Sequence, residues 1–167
     1  DIGGESSRPG AEPVNESTEK KRVLPVFEAL QKEKFPIFLS ADTYKSSVAQ
    51  SAHERGATII NDITALQDPL MATTIAQHEA ALIIMHMRGT PISMQEGNLE
   101  YSNIIQSVQR TFQDAIEKAT IAGVNRKKLM LDPGIGFGKT TVQNLQLTTQ
   151  LHEFGYFGCP LVYGPSR

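Results

Sequence analysis

Leu131-Asp132-Pro133-Gly134-Ile135-Gly136-Phe137-Gly138-Lys139 is the stretch on which the fold turns. The apolar run Leu129-Met130-Leu131 stops at a carboxylate, opens into a loop with three glycines, and gives way to a helical pattern near Val142. A buried strand ends this way when its tip presents an acid and its backbone must come close to a ligand. Gly138-Lys139-Thr140 imitates the end of a nucleotide P-loop, but that motif needs a glycine five positions before Gly138, where Pro133 stands. Proline supplies no N–H to a phosphate and fixes its own φ. Asp132 is then the group to explain. It either caps the following turn or faces a ligand, and the local sequence allows both.

The same grammar repeats on either side. Ile37-Phe38-Leu39 leads into Ser40-Ala41-Asp42-Thr43, and Thr58-Ile59-Ile60 into Asn61-Asp62. Residues 80–85 form another apolar run, ending in His86-Met87-Arg88-Gly89, and Leu161-Val162-Tyr163 runs into Gly164-Pro165-Ser166-Arg167. Asp1-Ile2 is the tail of one more strand, followed by a loop rich in Gly, Ser and Pro in which Arg8 is placed either to hold an anion or simply to sit at a turn.

Helical patterns fill the gaps. Residues 16–34 carry Val23, Leu24, Phe27 and Leu30 on one face, and Pro25 predicts a break near Leu24. A helix after Asp42 ends at Gly56, a C′ residue. Asp68-Pro69 reads as an N-cap with proline at the first helical position. Ile105, Val108, Phe112, Ala115 and Ala119 recur at helical spacing until Gly123, and a last helix is expected over 142–154. Residues 90–97 are polar and contain proline, which predicts a longer loop.

Strands that are continuous apolar runs alternating with helices define an α/β fold with a parallel sheet buried on both faces. A doubly wound fold concentrates its phosphate loop after the first strand. Here polar residues follow every strand: Asp42, Asn61, His86, Asp132 and Ser166. That repetition matches the C-terminal face of a TIM (β/α)8 barrel, where successive loops share one site.

At 167 residues the chain is shorter than the ~250 of a closed barrel. The expectation is an incomplete barrel over residues 1–167, from the end of strand 2 through strand 7, either a fragment of a longer chain or a chain whose barrel cannot close alone. A net charge of −2 and no basic cluster beyond Lys20-Lys21-Arg22, read as a solvated helix face, argue against nucleic acid. The single cysteine, Cys159, excludes an intrachain disulfide and fits a reducing compartment. No apolar run approaches membrane-spanning length. His53, His78 and His152 form no ligand spacing, a lone His86 at a strand end reads as structural, and the methionines read as packing.

Six blocks in register along the whole chain resemble the dihydropteroate synthase family. They are Asp1-Ile2-Gly3-Gly4-Glu5-Ser6-Ser7-Arg8-Pro9-Gly10-Ala11, Asp42-Thr43-Tyr44-Lys45, Ile60-Asn61-Asp62, Met85-His86-Met87-Arg88-Gly89 with Met94-Gln95, Asp132 through Lys139, and Gly164-Pro165-Ser166-Arg167.

The resemblance implies a folate-pathway transferase that joins 6-hydroxymethyl-7,8-dihydropterin diphosphate to 4-aminobenzoate and releases diphosphate. By that similarity Asp42, Asn61, Met85, Asp132 and Gly164 hold the pterin. Ser7, Arg8, Pro9, Phe137, Ser166 and Arg167 meet aminobenzoate or diphosphate, on the side where sulfonamide drugs compete. Asp42, Asp132 and Arg8 carry the chemistry. The resemblance further implies Mg²⁺ with no metal ligand inside this chain, a homodimer, and a cytoplasmic protein, or an organellar one if a transit peptide precedes it. Pterin has a guanine-like donor and acceptor edge, which suits carboxylates and an amide. Ser7 departs from the family's usual Thr while keeping the hydroxyl. The family's first strand with its Asn, the Lys after Ser-Arg, and the last strand's Arg and His are absent, so the 167 residues alone are expected to turn over little. The pterin domain of corrinoid methyltransferases shares the Asp, Asn, Asp trio but does not need the Ser-Arg-Pro-Gly or Gly-Pro-Ser-Arg loops. A non-catalytic pterin-binding barrel fragment is the other alternative.

Overall fold

The computed structural model describes residues 1–34, 36–97 and 99–165. Strands β1 (Ile2–Gly3), β2 (Ser40–Asp42), β3 (Ile59–Asp62), β4 (Ala81–Met85) and β5 (Leu129–Asp132) pair in parallel in the order β1-β2-β3-β4-β5. Strands lying side by side in chain order are consecutive staves of a (β/α)8 barrel, whereas a doubly wound sheet reverses at a switch point. The last apolar run takes the next place through a single bridge, Leu131 to Leu161, with Val162 N–H donating to Leu131 O at 2.8 Å. Among the described residues this end and β1 do not pair, so the barrel is open.

Register sorts the sheet into two faces. Ala41, Ile60, Leu82 and Leu129 form one row across it, with Ile84 and Leu131 in the next, all at most 2% exposed. Helices α1 (Glu16–Lys32), α2 (Ser46–His53), α3 (Met71–Gln77), α4 (Ile104–Ile121) and α5 (Thr141–Thr149) join this face in one core. The apolar stripe of α4 is buried as its spacing predicts, and Gly123 ends the helix at φ +96°. Among the described residues no helix is long and apolar enough to cross a membrane.

Several local expectations fail. Ile37 and Phe38 lie outside β2, which begins at Ser40, and are 59% and 84% exposed. Pro25 does not break α1: it faces solvent, and buried Val23 and Phe27 hold the helix on either side. Arg22 is not merely solvated, since its guanidinium donates to Gly4 O at 2.8 Å.

Asp68 does not cap α3, which starts at Met71. Its carboxylate accepts from Leu70 N–H at 2.9 Å and from Ser46 N–H at 2.7 Å, so it caps α2, whose own N-cap Lys45 offers no acceptor. The expected 142–154 helix splits at Gln150 into α5 and a 3₁₀ helix, Leu151–Phe157. Residues three apart eclipse in a 3₁₀ helix, which sets Phe154 and Phe157 both edge-on to Phe112 at 5.6 and 5.8 Å.

Candidate functional site

The face opposite the helices carries the polar side chains. Asp42 pairs with Asn61, and Asn61 with Ile83; Met85, two residues on, pairs with Asp132. Side chains two apart in a strand share a face, so Asp42, Asn61, Met85 and Asp132 all lie on the inner face at the C-terminal ends of four adjacent strands. Asp62, one residue from Asn61, falls on the helix side. It is fully buried and satisfied by Thr64 N–H, Thr64 Oγ1 and Leu66 N–H at 2.7–2.9 Å.

Each inner group has distinct electrostatics. Asn61 Nδ2 donates to Asp1 at 3.1 Å, but its Oδ1 is buried without a hydrogen-bond partner. Burial, with the Glu19 carboxylate second, pushes Asp42 up to about 6. Burial also raises Asp132, against a 2.7 Å hydrogen bond from Gly134 N–H and the charge of Lys139. His86 is 3% exposed, and burial drops it to about 3, leaving a neutral imidazole. Asp42 lies against Gly3, where a Cβ would meet its carboxylate oxygen at 3.2 Å.

Behind Asp42 sits a buried ionic knot. Lys45 Nζ reaches Glu5 and Glu19, each at 2.5 Å, and Tyr44 donates to Glu5 at 2.6 Å. Burial pulls Lys45 down, but the hydrogen bonds to Glu19 and Glu5 outweigh it and hold the ammonium above its ordinary range. Glu5, Glu19, Tyr44 and Asp42 line a cavity of about 10 Å³, room for one water. Lys45→Met leaves two buried carboxylates without their cation. The expected cost is about 3 kcal/mol at pH 8, as read by urea denaturation beside the wild type.

The loop after β5 docks onto the end of β4. Gly134 at φ +67° lets His86 O come within 2.1 Å of where a Cβ would sit, and Gly138 at φ +61° lies against Arg88 O. Lys139, 4% exposed, donates to the carbonyls of His86 (3.0 Å), Gly134 (2.8 Å) and Phe137 (2.9 Å). Asn144 Oδ1 accepts from Gly136 N–H at 2.9 Å, and Gln95 Nε2 donates to Gly136 O at 3.2 Å. Sequence alone does not mark Lys139, Asn144 or Gln95 as site residues. Only the Gly-Lys-Thr resemblance to a P-loop draws attention to Lys139, and its ammonium faces carbonyls instead of a phosphate.

Other expected residues are more dispersed. Ser7 lines the small cavity with Asp42, but Arg8 and Pro9 are exposed on an open groove of about 520 Å³ that they share with Arg22, away from the carboxylates. Gly10 N–H donates to Pro91 O at 3.0 Å, which ties that loop to the one after β4. Phe137 is half-buried in the loop after β5, and Gly164 is exposed just beyond the Leu161 bridge. Ser166 and Arg167 lie outside the described residues. Two histidines that sequence separates meet at the ends of α2 and α3: the rings of His53 and His78 are 4.7 Å apart.

The chain matches the pterin binding enzyme family over residues 1–167. It is 41% identical to the dihydropteroate synthase of Escherichia coli K12 across all of its own length and 58% of that relative's. A crystal structure of Yersinia pestis dihydropteroate synthase in a sulfonamide drug complex superimposes with a TM-score of 0.91 at 42% identity, covering 96% of this chain and 58% of that one. The Xanthomonas albilineans dihydropteroate synthase with 4-aminobenzoic acid gives 0.90 at 37% identity, covering 98% and 57%. The chain thus spans somewhat under three fifths of these relatives.

Proposed function

The chain belongs to the pterin binding enzyme family, and from that premise we propose that it is part of a dihydropteroate synthase and supplies the pterin side of its site. The observation that carries this is the shared inner face of Asp42, Asn61 and Asp132 at adjacent strand ends, with Met85 between them. Two carboxylates accept the N–H groups of a reduced pterin, the orphan Asn61 carbonyl accepts another, and Met85 packs on the ring. Relatives crystallised with a sulfonamide and with 4-aminobenzoic acid support the second substrate.

Departure of diphosphate before attack develops positive charge on the pterin methylene. Asp132 and Asp42, held in a poorly hydrated site, stabilise that charge without rearranging. The C–O bond to diphosphate breaks, and the neutral aryl amine donates its lone pair to form the C–N bond, then loses a proton to water or diphosphate. Arg8 would meet the diphosphate after its loop turns inward from the groove. Among the described residues no three His, Cys, Asp or Glu side chains gather where they could hold a metal ion. Glu5 and Glu19 are committed to Lys45, so a Mg²⁺ assisting diphosphate would take its ligands from outside this set.

Titration of a reduced pterin into the full encoded protein, paired with radiolabelled aminobenzoate turnover, tests the reading. Saturable pterin binding and dihydropteroate formation are expected. No pterin binding refutes the site, and binding without product leaves a non-catalytic pterin-binding barrel. Scrambling of isotope within the diphosphate while aminobenzoate is withheld is the expected sign of early departure.

A further inference from the structure

Resting on the pterin-site reading above, we propose that Lys139 is a positioning residue: it clamps the β5 loop to the end of β4 and so fixes the pterin carboxylate Asp132 against the aminobenzoate wall Phe137.

The geometry is specific. An ammonium has three N–H donors, and Lys139 spends them on three backbone carbonyls, those of His86 across the β4 end and Gly134 and Phe137 within its own loop. With 4% exposure and its donors filled, it acts on a ligand only through what it holds. Each substrate side is one bond away. Asp132 Oδ1 accepts from Gly134 N–H at 2.7 Å while Gly134 O accepts from Lys139, and Phe137 N–H donates to that same Gly134 O at 3.1 Å. Gly134 is thus a common anchor for both residues, holding Asp132 through its N–H and Phe137 through its O. The clamp is also tight across elements, since His86 O occupies the space a Gly134 side chain would need.

Charge adds a second handle. Asp132 and Lys139 face each other, and the ammonium opposes the burial that raises Asp132. Burial first, and Arg88 to a smaller extent, lower Lys139 to about 7, with Asp132 opposing. From β4 the other neighbour is the neutral His86, and α5 contributes only the uncharged Asn144, whose amide donates to Lys139 O at 3.4 Å. A side chain that merely filled space would influence neither the Asp132 proton nor the placement of Phe137.

Lys139→Met and Lys139→Arg in the full encoded protein separate clamp from charge. Lys139→Met is expected to raise the aminobenzoate KM at least tenfold with a smaller change in kcat. It should also move the Asp132 part of the acid limb of pterin binding to higher pH. Lys139→Arg keeps the charge but its planar fork does not fit three converging carbonyls, so it should restore the acid limb and leave KM high. Amide exchange at Gly134 and Phe137 should quicken at least tenfold in both variants, a readout that does not require pterin to bind. Wild-type exchange together with wild-type KM and pH profile in Lys139→Met overturns the proposal. Faster exchange in a protein that binds no pterin overturns the site reading alone. Should Lys139→Met fail to fold, Lys139→Gln, with two donors left, reports the same quantities.

Discussion

Gly134→Ala is expected to cost about 4 kcal/mol and to abolish pterin binding. Two penalties combine. A left-handed φ of +67° costs an alanine roughly 1–2 kcal/mol by itself. The greater penalty is steric: the new Cβ would lie 2.1 Å from His86 O, and that atom is backbone, held in place by the Lys139 ammonium and by the β4–β5 ladder. Relief requires the β5 loop to lift from β4, which loosens the Gly134 N–H bond that orients Asp132 and breaks the bonds from Lys139. Such overpacking against backbone belongs with the severe core substitutions. Gly10→Ala is the control, with φ +76° but open space around it, and should lose about 1 kcal/mol. Chemical denaturation of the two variants checks this. Equal losses would show that φ alone matters and that the contact with His86 yields.

The contrast between these glycines marks where sequence reading succeeds. Apolar runs ending in Asp42, Asn61 and Asp132 are legible because a strand's period and its C-terminal end are both written in side chains. The same period tells Asn61 from Asp62: adjacent in sequence, they point to opposite faces, one with an orphan acceptor and the other fully bonded. What stays hidden depends on partners that carry no letter. Lys139 is held by carbonyls, which every residue has. Asp68 looks like a cap and is one, for α2 instead of the helix that follows it. Arg8 sits in a loop with little packing, so its sequence says what it can bind and not where it rests.

Asp42→Asn is expected to weaken pterin binding about 100-fold at pH 8 while making the unliganded protein more stable. The affinity loss follows from replacing a charged acceptor, worth roughly 1.5–3 kcal/mol per hydrogen bond, with an amide that can turn a donor toward a donor. The stability gain follows from linkage. Asp42 rises from 3.8 to about 6 on folding, through burial first and the Glu19 charge second. Between those values the folded state binds more protons than the unfolded chain, so wild-type stability falls as pH rises through the window and is level above it. The shift corresponds to about 3 kcal/mol, which Asn does not incur. The two proteins should therefore melt alike at pH 4 and diverge by pH 8, with the variant ahead. Pterin affinity of the wild type should drop as pH falls below about 6, where Asp42 protonates, and the variant should retain only the limb set by Asp132. Denaturation and pterin titration across pH 4–8 read both effects. A variant that binds as tightly as wild type removes Asp42 from the site. One that is less stable at pH 8 would mean that the carboxylate is held by contacts which compensate its burial, and that the position is structural instead of a cost carried for the ligand.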